Sequence, residues 1–245
     1  MCDSTSSSLP HAMISRSALA SAATEAASHG GRMADLRRDA WGHGIVGVAH
    51  AVIAAGAAAV LVDSDAEVQT LALEGIQAET HGTADIDAQL LYGLPDAEGV
   101  LRTRPVMRLT GRVLSLKPLK AGDAVSYGYT HRASTDTTAV LVTGGYAQGI
   151  VRALGNRARV ELDGAMRPII GRVAMDVCMV DTEGQSAVAP GAEVTYFGGF
   201  YTMLDEDGHS VGSGYDSHGH VHVTHPDSGF PIADFRLPMI DEVKA

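Results

Sequence analysis

An α+β chain is what this sequence predicts, from two patterns that occupy different parts of it. In the first part Ile45, Val48, Ala49, Val52 and Ile53 recur at helical spacing, and a short wholly apolar run, Ala58 to Val62, follows them. Such a run suits a parallel strand buried on both faces. In the second part Arg157-Ala158-Arg159-Val160-Glu161-Leu162 exchanges charged and apolar residues at every step, the mark of a half-buried strand, and Asp163-Gly164 then closes a hairpin.

Taken in order, residues 1–12 read as a flexible tail, and Ile14 to Ser28, rich in Ala and Ser, as a weak helix; together they make an N-terminal segment 1–29. Gly56 stops the helix that carries Ile45 to Ile53. Ser64 with Glu67 forms a capping box, and the helix it opens turns Val68, Leu71 and Ala72 one way before Gly75 ends it. Strand, helix, strand, helix belongs to a parallel sheet, here placed in 30–97. Two or three parallel strands leave apolar edges that call for a partner or a cover, a second chain being one answer. A β-rich domain is expected over 98–199 and a divergent tail over 200–245.

Composition narrows the function classes. With 245 residues, 45% of them apolar, the chain can bury a real core. A formal net charge of −11 argues against nucleic-acid and anionic-membrane partners. Cys2 and Cys178 give neither a disulfide framework nor a metal-site spacing, and Cys178 reads as core. No window has the apolar length of a bilayer span, and the Ser-rich opening lacks the order of a signal peptide, so a cytoplasmic location is expected.

Three runs between Ala121 and Gly199 carry most of the functional information: Val125-Ser126-Tyr127-Gly128, Gly145-Tyr146-Ala147-Gln148-Gly149 and Gly171-Arg172-Val173-Ala174-Met175-Asp176. In this order and spacing they resemble the C-terminal β-domain of the alanine racemase family, pyridoxal-phosphate enzymes that interconvert L- and D-alanine. The resemblance spans roughly Arg104 to Gly198. It implies that Tyr127 is a catalytic acid/base reaching across a dimer into the other subunit's site, and that Tyr146 and Met175 line that site.

Upstream, Arg37-Arg38-Asp39-Ala40-Trp41-Gly42-His43-Gly44 is similar to the family's Lys-Ala-Asp/Asn-Ala-Tyr-Gly-His-Gly, whose lysine carries the cofactor as a Schiff base. Arg37 and Trp41 therefore fall at cofactor-binding positions and depart from them. A guanidinium stays protonated and cannot form an imine, and an indole lacks the tyrosine hydroxyl that helps hold the cofactor phosphate. The sequence holds only Lys117, Lys120 and Lys244; the first two are expected in a polar turn around a proline, and all three as solvated charges. His43 is expected to make a structural hydrogen bond. Ile86 matches an arginine that bonds the cofactor ring in the family. Leu90-Leu91-Tyr92-Gly93-Leu94 resembles the end of the family's barrel, yet only about 65 residues separate Gly30 from Pro95, against about 250 for a complete (β/α)₈ barrel. The 30–97 segment thus reads as a short α/β remnant of that barrel.

The tail offers His218, His220 and His222 on one face of an extended segment, with His209 and His225 nearby. With Asp216 or Asp227 they form a candidate Zn²⁺ site; the alternative is a polar strand face between glycines. Three functions follow: an accessory half-site partner presenting Tyr127, as a homodimer or with a full-length racemase; a pyridoxal-phosphate racemase supplying D-alanine for cell-wall synthesis; or a metal-binding module.

Overall fold

The computed structural model describes residues 9–96, 100–184, 187–198, 202–204 and 210–212. They divide into two compact units: one spans Ile14–Met107, and the other takes the residues up to Met13 and from Arg108 onward. The division falls later than the 97/98 boundary expected from sequence. The first strand, β1 (His11–Ile14), lies partly within the stretch expected to be a flexible tail; it pairs with a longer strand of the second unit, which satisfies its backbone.

In the α/β unit, Ser15 caps the helix Arg16–Ser28 by accepting from Ala18 N at 3.2 Å. Ala18, Leu19, Ala22, Ala23 and Ala26 form its buried stripe. Strands β2 (Met33–Asp35), β3 (Ala59–Leu61) and β4 (Ala78–Glu79) make a parallel sheet in that order, linked by the helices Ile45–Ala54 and Asp65–Leu73. On the other side of β2, Asp85 N and Ile86 N both donate to Met33 O, so the segment before the helix Ala88–Tyr92 completes the sheet edge. The Ser64–Glu67 cap is present in altered form. Ser64 Oγ accepts from Glu67 N at 3.3 Å, while the Glu67 carboxylate takes Ser64 Oγ and Asp63 N. Leu36, Val48, Val52, Val60, Leu71, Leu91 and Tyr92 fill the core.

The second unit is a closed barrel. Strand β5 (Met107–Leu119) is followed by the small pair β6 (Ala124–Val125) and β7 (His131–Arg132), then β8 (Thr137–Thr143), β9 (Arg159–Leu162), β10 (Ala165–Ile170), β11 (Val177–Asp181) and β12 (Glu193–Phe197). Antiparallel pairing runs β5-β12-β9-β10-β11-β8, and β8 returns to β5, so no edge remains among these six. One strand can serve both neighbours because β5 pairs with β12 over its first half and with β8 over its second, with a bulge between Val113 and Ser115. Asp163 and Gly164, at φ 54° and 70°, join Leu162 to Ala165 as a two-residue turn. Lys117 and Pro118 belong to β5, not to a turn as expected; β5 runs on past them to Leu119. A further antiparallel pair joins Thr202–Leu204 to Ser210–Gly212.

Candidate functional site

The three motif runs converge on one surface of the barrel. Ser126, at φ 63°, turns the chain after β6, donates through Oγ to Arg172 O at 2.7 Å and accepts from Arg172 N at 3.0 Å. Gly171 N is held by Asn156 Oδ1 at 2.6 Å, and Asn156 Nδ2 reaches Thr130 Oγ1 at 3.1 Å, so the loop carrying Tyr127 is tied at both ends. Farther along, Tyr146 N and Ala147 N donate to Ala174 O and Met175 O, both at 2.9 Å. Gln148 bridges Gly145 N and the Asp176 carboxylate. Arg172 to Asp176 is thus a common spine for the other two runs.

These ties leave aromatic and sulfur side chains outward. Tyr127 is 79% exposed, Met175 54% and Tyr146 43%, with Tyr129 also exposed. Tyr127 sits in the β6–β7 loop, Tyr146 opens a 3₁₀ turn and Met175 lies between β10 and β11. The Arg152 guanidinium lies 5.8 Å from the Tyr146 ring centroid, giving the patch a cationic margin. Arg152 and Asn156 were not singled out by sequence, since polar residues in loops carry no local signature of such contacts, and Arg172 was read only as part of its run.

Arg37 and Trp41 belong to the α/β unit. Arg38, Asp39, Ala40 and Trp41 have φ of 52–58° and ψ of 34–47°, a left-handed turn built without glycine. Arg37 enters it paired with Asp35, Nε to Oδ1 at 2.9 Å and Nη2 to Oδ2 at 2.5 Å. That pairing holds the Asp35 carboxyl below the usual carboxylate range and keeps the guanidinium protonated. Trp41 stacks on Tyr92 with centroids 5.8 Å apart. His43 also lies against Tyr92 and donates from Nδ1 to Ala40 O at 3.0 Å, the structural bond expected of it; burial pushes its pKa down to about 4. Ile86 is core. Cys178 is core too, its thiol pushed up to about 11 by burial and donating to Tyr196 Oη, which itself donates to Thr143 O.

The comparisons decide how this barrel is classed. The profile described as alanine racemase, C-terminal domain, matches residues 106–210. Over that stretch, 105 of the 245 residues, the chain is similar to the C-terminal domain of alanine racemases. Alanine racemase from Mycolicibacterium vanbaalenii is 47% identical over 96 residues, 39% of this chain and 25% of that protein. The one from Desulfovibrio desulfuricans is 38% identical over 120 residues, 48% of this chain and 32% of that protein. The chain therefore spans a third or less of these curated relatives. Among solved structures, alanine racemase from Streptomyces lavendulae aligns with a TM-score of 0.67 at 19% identity, covering 78% of this chain and 87% of that one. The Bartonella henselae racemase, solved with covalently bound pyridoxal phosphate, gives 0.60 at 16%, covering 78% and 90%. At that identity the likeness concerns the fold, and it bears out the α+β class with its racemase-like barrel.

The racemase family is pyridoxal-phosphate-dependent, but the residues here do not fit that group as an imine. Ile14–Met107 contains no lysine. Lys117 and Lys120 stand exposed at the end of β5, and Lys120 is paired with Asp136 at 2.7 Å, which keeps it an ammonium. Lys244 lies outside the described residues, as do His209, His218, His220, His222 and His225 of the expected metal site. Among the described residues no cluster suits a metal ion, and no helix is long and apolar enough to cross a membrane.

Proposed function

We propose that this chain is an alanine-racemase-like protein that does not racemise alanine by itself and acts as a half-site partner. Its β-domain docks on a second racemase chain and offers Tyr127 to that chain's site. The carrying observation is a contrast within one sequence: Tyr127 is 79% exposed on a loop pinned through Ser126 and Arg172, while the position that needs an amine holds a guanidinium bound to Asp35. An outward phenol on an anchored loop can give or take a proton at its Oη only for something supplied from outside the barrel. Tyr146 and Met175, on the same spine, would line that contact.

The test is to purify the chain, mix it with a full-length alanine racemase, and follow mass on size exclusion together with the rate of alanine racemisation. A mixed species should form and its rate should differ from that of the racemase alone. A Tyr127→Phe chain should form the same species without the same change in rate. Separate elution with an unchanged rate contradicts the proposal.

A further inference from the structure

The Arg37–Asp35 pair bears on more than the loss of one lysine. Asp35 ends β2 and Arg37 opens the turn that follows it, and the chain's bend at Leu36 brings their side chains together. The carboxylate takes both Nε and Nη2 of Arg37 and also the Arg37 backbone N at 3.1 Å. Its position is fixed from behind, since Tyr92 Oη donates to Asp35 O at 3.3 Å and the Arg38 N–H is taken by the Asp63 carboxylate. The charged groups around this strand end are Asp35, Arg38 and Asp39 along the chain and Asp63 after β3.

We infer that Asp35 is a second, independent barrier to imine chemistry in this unit: an amine restored at position 37 would be held by the Asp35 carboxylate and not left free to attack an aldehyde. Imine formation joins the amine nitrogen to the aldehyde carbon and expels the carbonyl oxygen as water, and it requires that the ammonium first give a proton to solvent. A carboxylate within hydrogen-bonding distance opposes that release. Restoring the lysine alone therefore leaves roughly tenfold less free amine at a given pH than in a chain that also lacks the carboxylate. This inference does not depend on the chain having a partner.

The experiment compares full-length Arg37→Lys with Asp35→Asn/Arg37→Lys. Reductive ¹³C-methylation labels every amine, and the unsubstituted chain identifies the resonances of its own three lysines and N-terminus. The additional resonance is titrated by NMR, and each variant is incubated with pyridoxal phosphate and borohydride and its residue-37 peptide weighed. The additional amine should titrate about one pH unit or more lower in the double variant, so that roughly tenfold more of it is free at a given pH. Where the cofactor adds, the adduct should appear at correspondingly lower pH. Equal titration midpoints in the two variants would overturn the inference. Asp35→Ser replaces Asp35→Asn should the latter not fold, and the NMR midpoint decides the matter even where no cofactor adduct forms.

Discussion

At the scale of single residues, the surface bearing Tyr146 and Met175 depends on a side chain that is missing. Gly145 has an ordinary extended backbone, φ −136°, yet a Cβ there would overlap the carbonyl groups of Ala174 and Met175. Gly164 is the reverse case, with φ 70° and nothing near its Cβ position. Gly145→Ala should therefore destabilise the barrel by about 1–3 kcal/mol through enforced separation of two backbone runs, and loosen the Tyr146 turn. Gly164→Ala should cost about 1 kcal/mol from backbone strain alone. Urea unfolding of each variant checks the order, and a Gly145→Ala chain as stable as the parent would contradict it. Gly145 was legible in the sequence as part of a motif, but its reason was not: the crowding comes from residues about thirty positions away. Asp35 was likewise unread, because its pairing with Arg37 depends on the bend at Leu36 that ends β2.

At the scale of elements, the left-handed turn Arg38–Trp41 is the costly feature. Each non-glycine residue there loses roughly 1–2 kcal/mol against right-handed backbone. The opposing contacts are Asp39 Oδ1 with Ile45 N at 2.7 Å, Ala40 N with Leu36 O at 2.8 Å, and the half-buried His43 ring against Tyr92. His43 makes this element sensitive to acid. Its pKa falls from 6.5 to about 4 on folding because burial disfavours the charged ring. The unfolded chain thus binds a proton that the folded one refuses between those values. The contribution is complete above about pH 6.5 and lost as pH falls through 4, amounting to about 3 kcal/mol. Thermal melts from pH 7 to 4 should show the parent losing this stability and His43→Asn losing much less; parallel pH profiles would contradict the assignment. Sequence reading anticipated a structural His43, because Gly-His-Gly leaves little else to hold it. It could not anticipate the turn, since in Arg-Asp-Ala-Trp only Asp39 readily tolerates positive φ and four successive residues adopt it.

At the scale of the whole molecule, helices and strands with clear period or caps were legible: Ile45–Ala54, β3, the Ser64 cap and the Asp163-Gly164 hairpin all stand where pattern placed them. Barrel closure was not, because β5 serves two neighbours through a bulge that no residue pattern announces. Strand β1 was missed for the same kind of reason, as its pairing partner lies far along the chain. The two units differ in chemistry: the barrel presents an exposed tyrosine on an anchored loop, and the α/β unit holds the Arg37–Asp35 ion pair and no lysine. The most direct measurement is the visible spectrum of the purified chain with pyridoxal phosphate, followed by borohydride reduction and mass analysis. The spectrum should show no imine absorbance at neutral pH, and the reduced chain should carry no added mass on any lysine. A reduced adduct on Lys117, Lys120 or Lys244, accompanied by alanine racemisation from the chain alone, would contradict the half-site proposal.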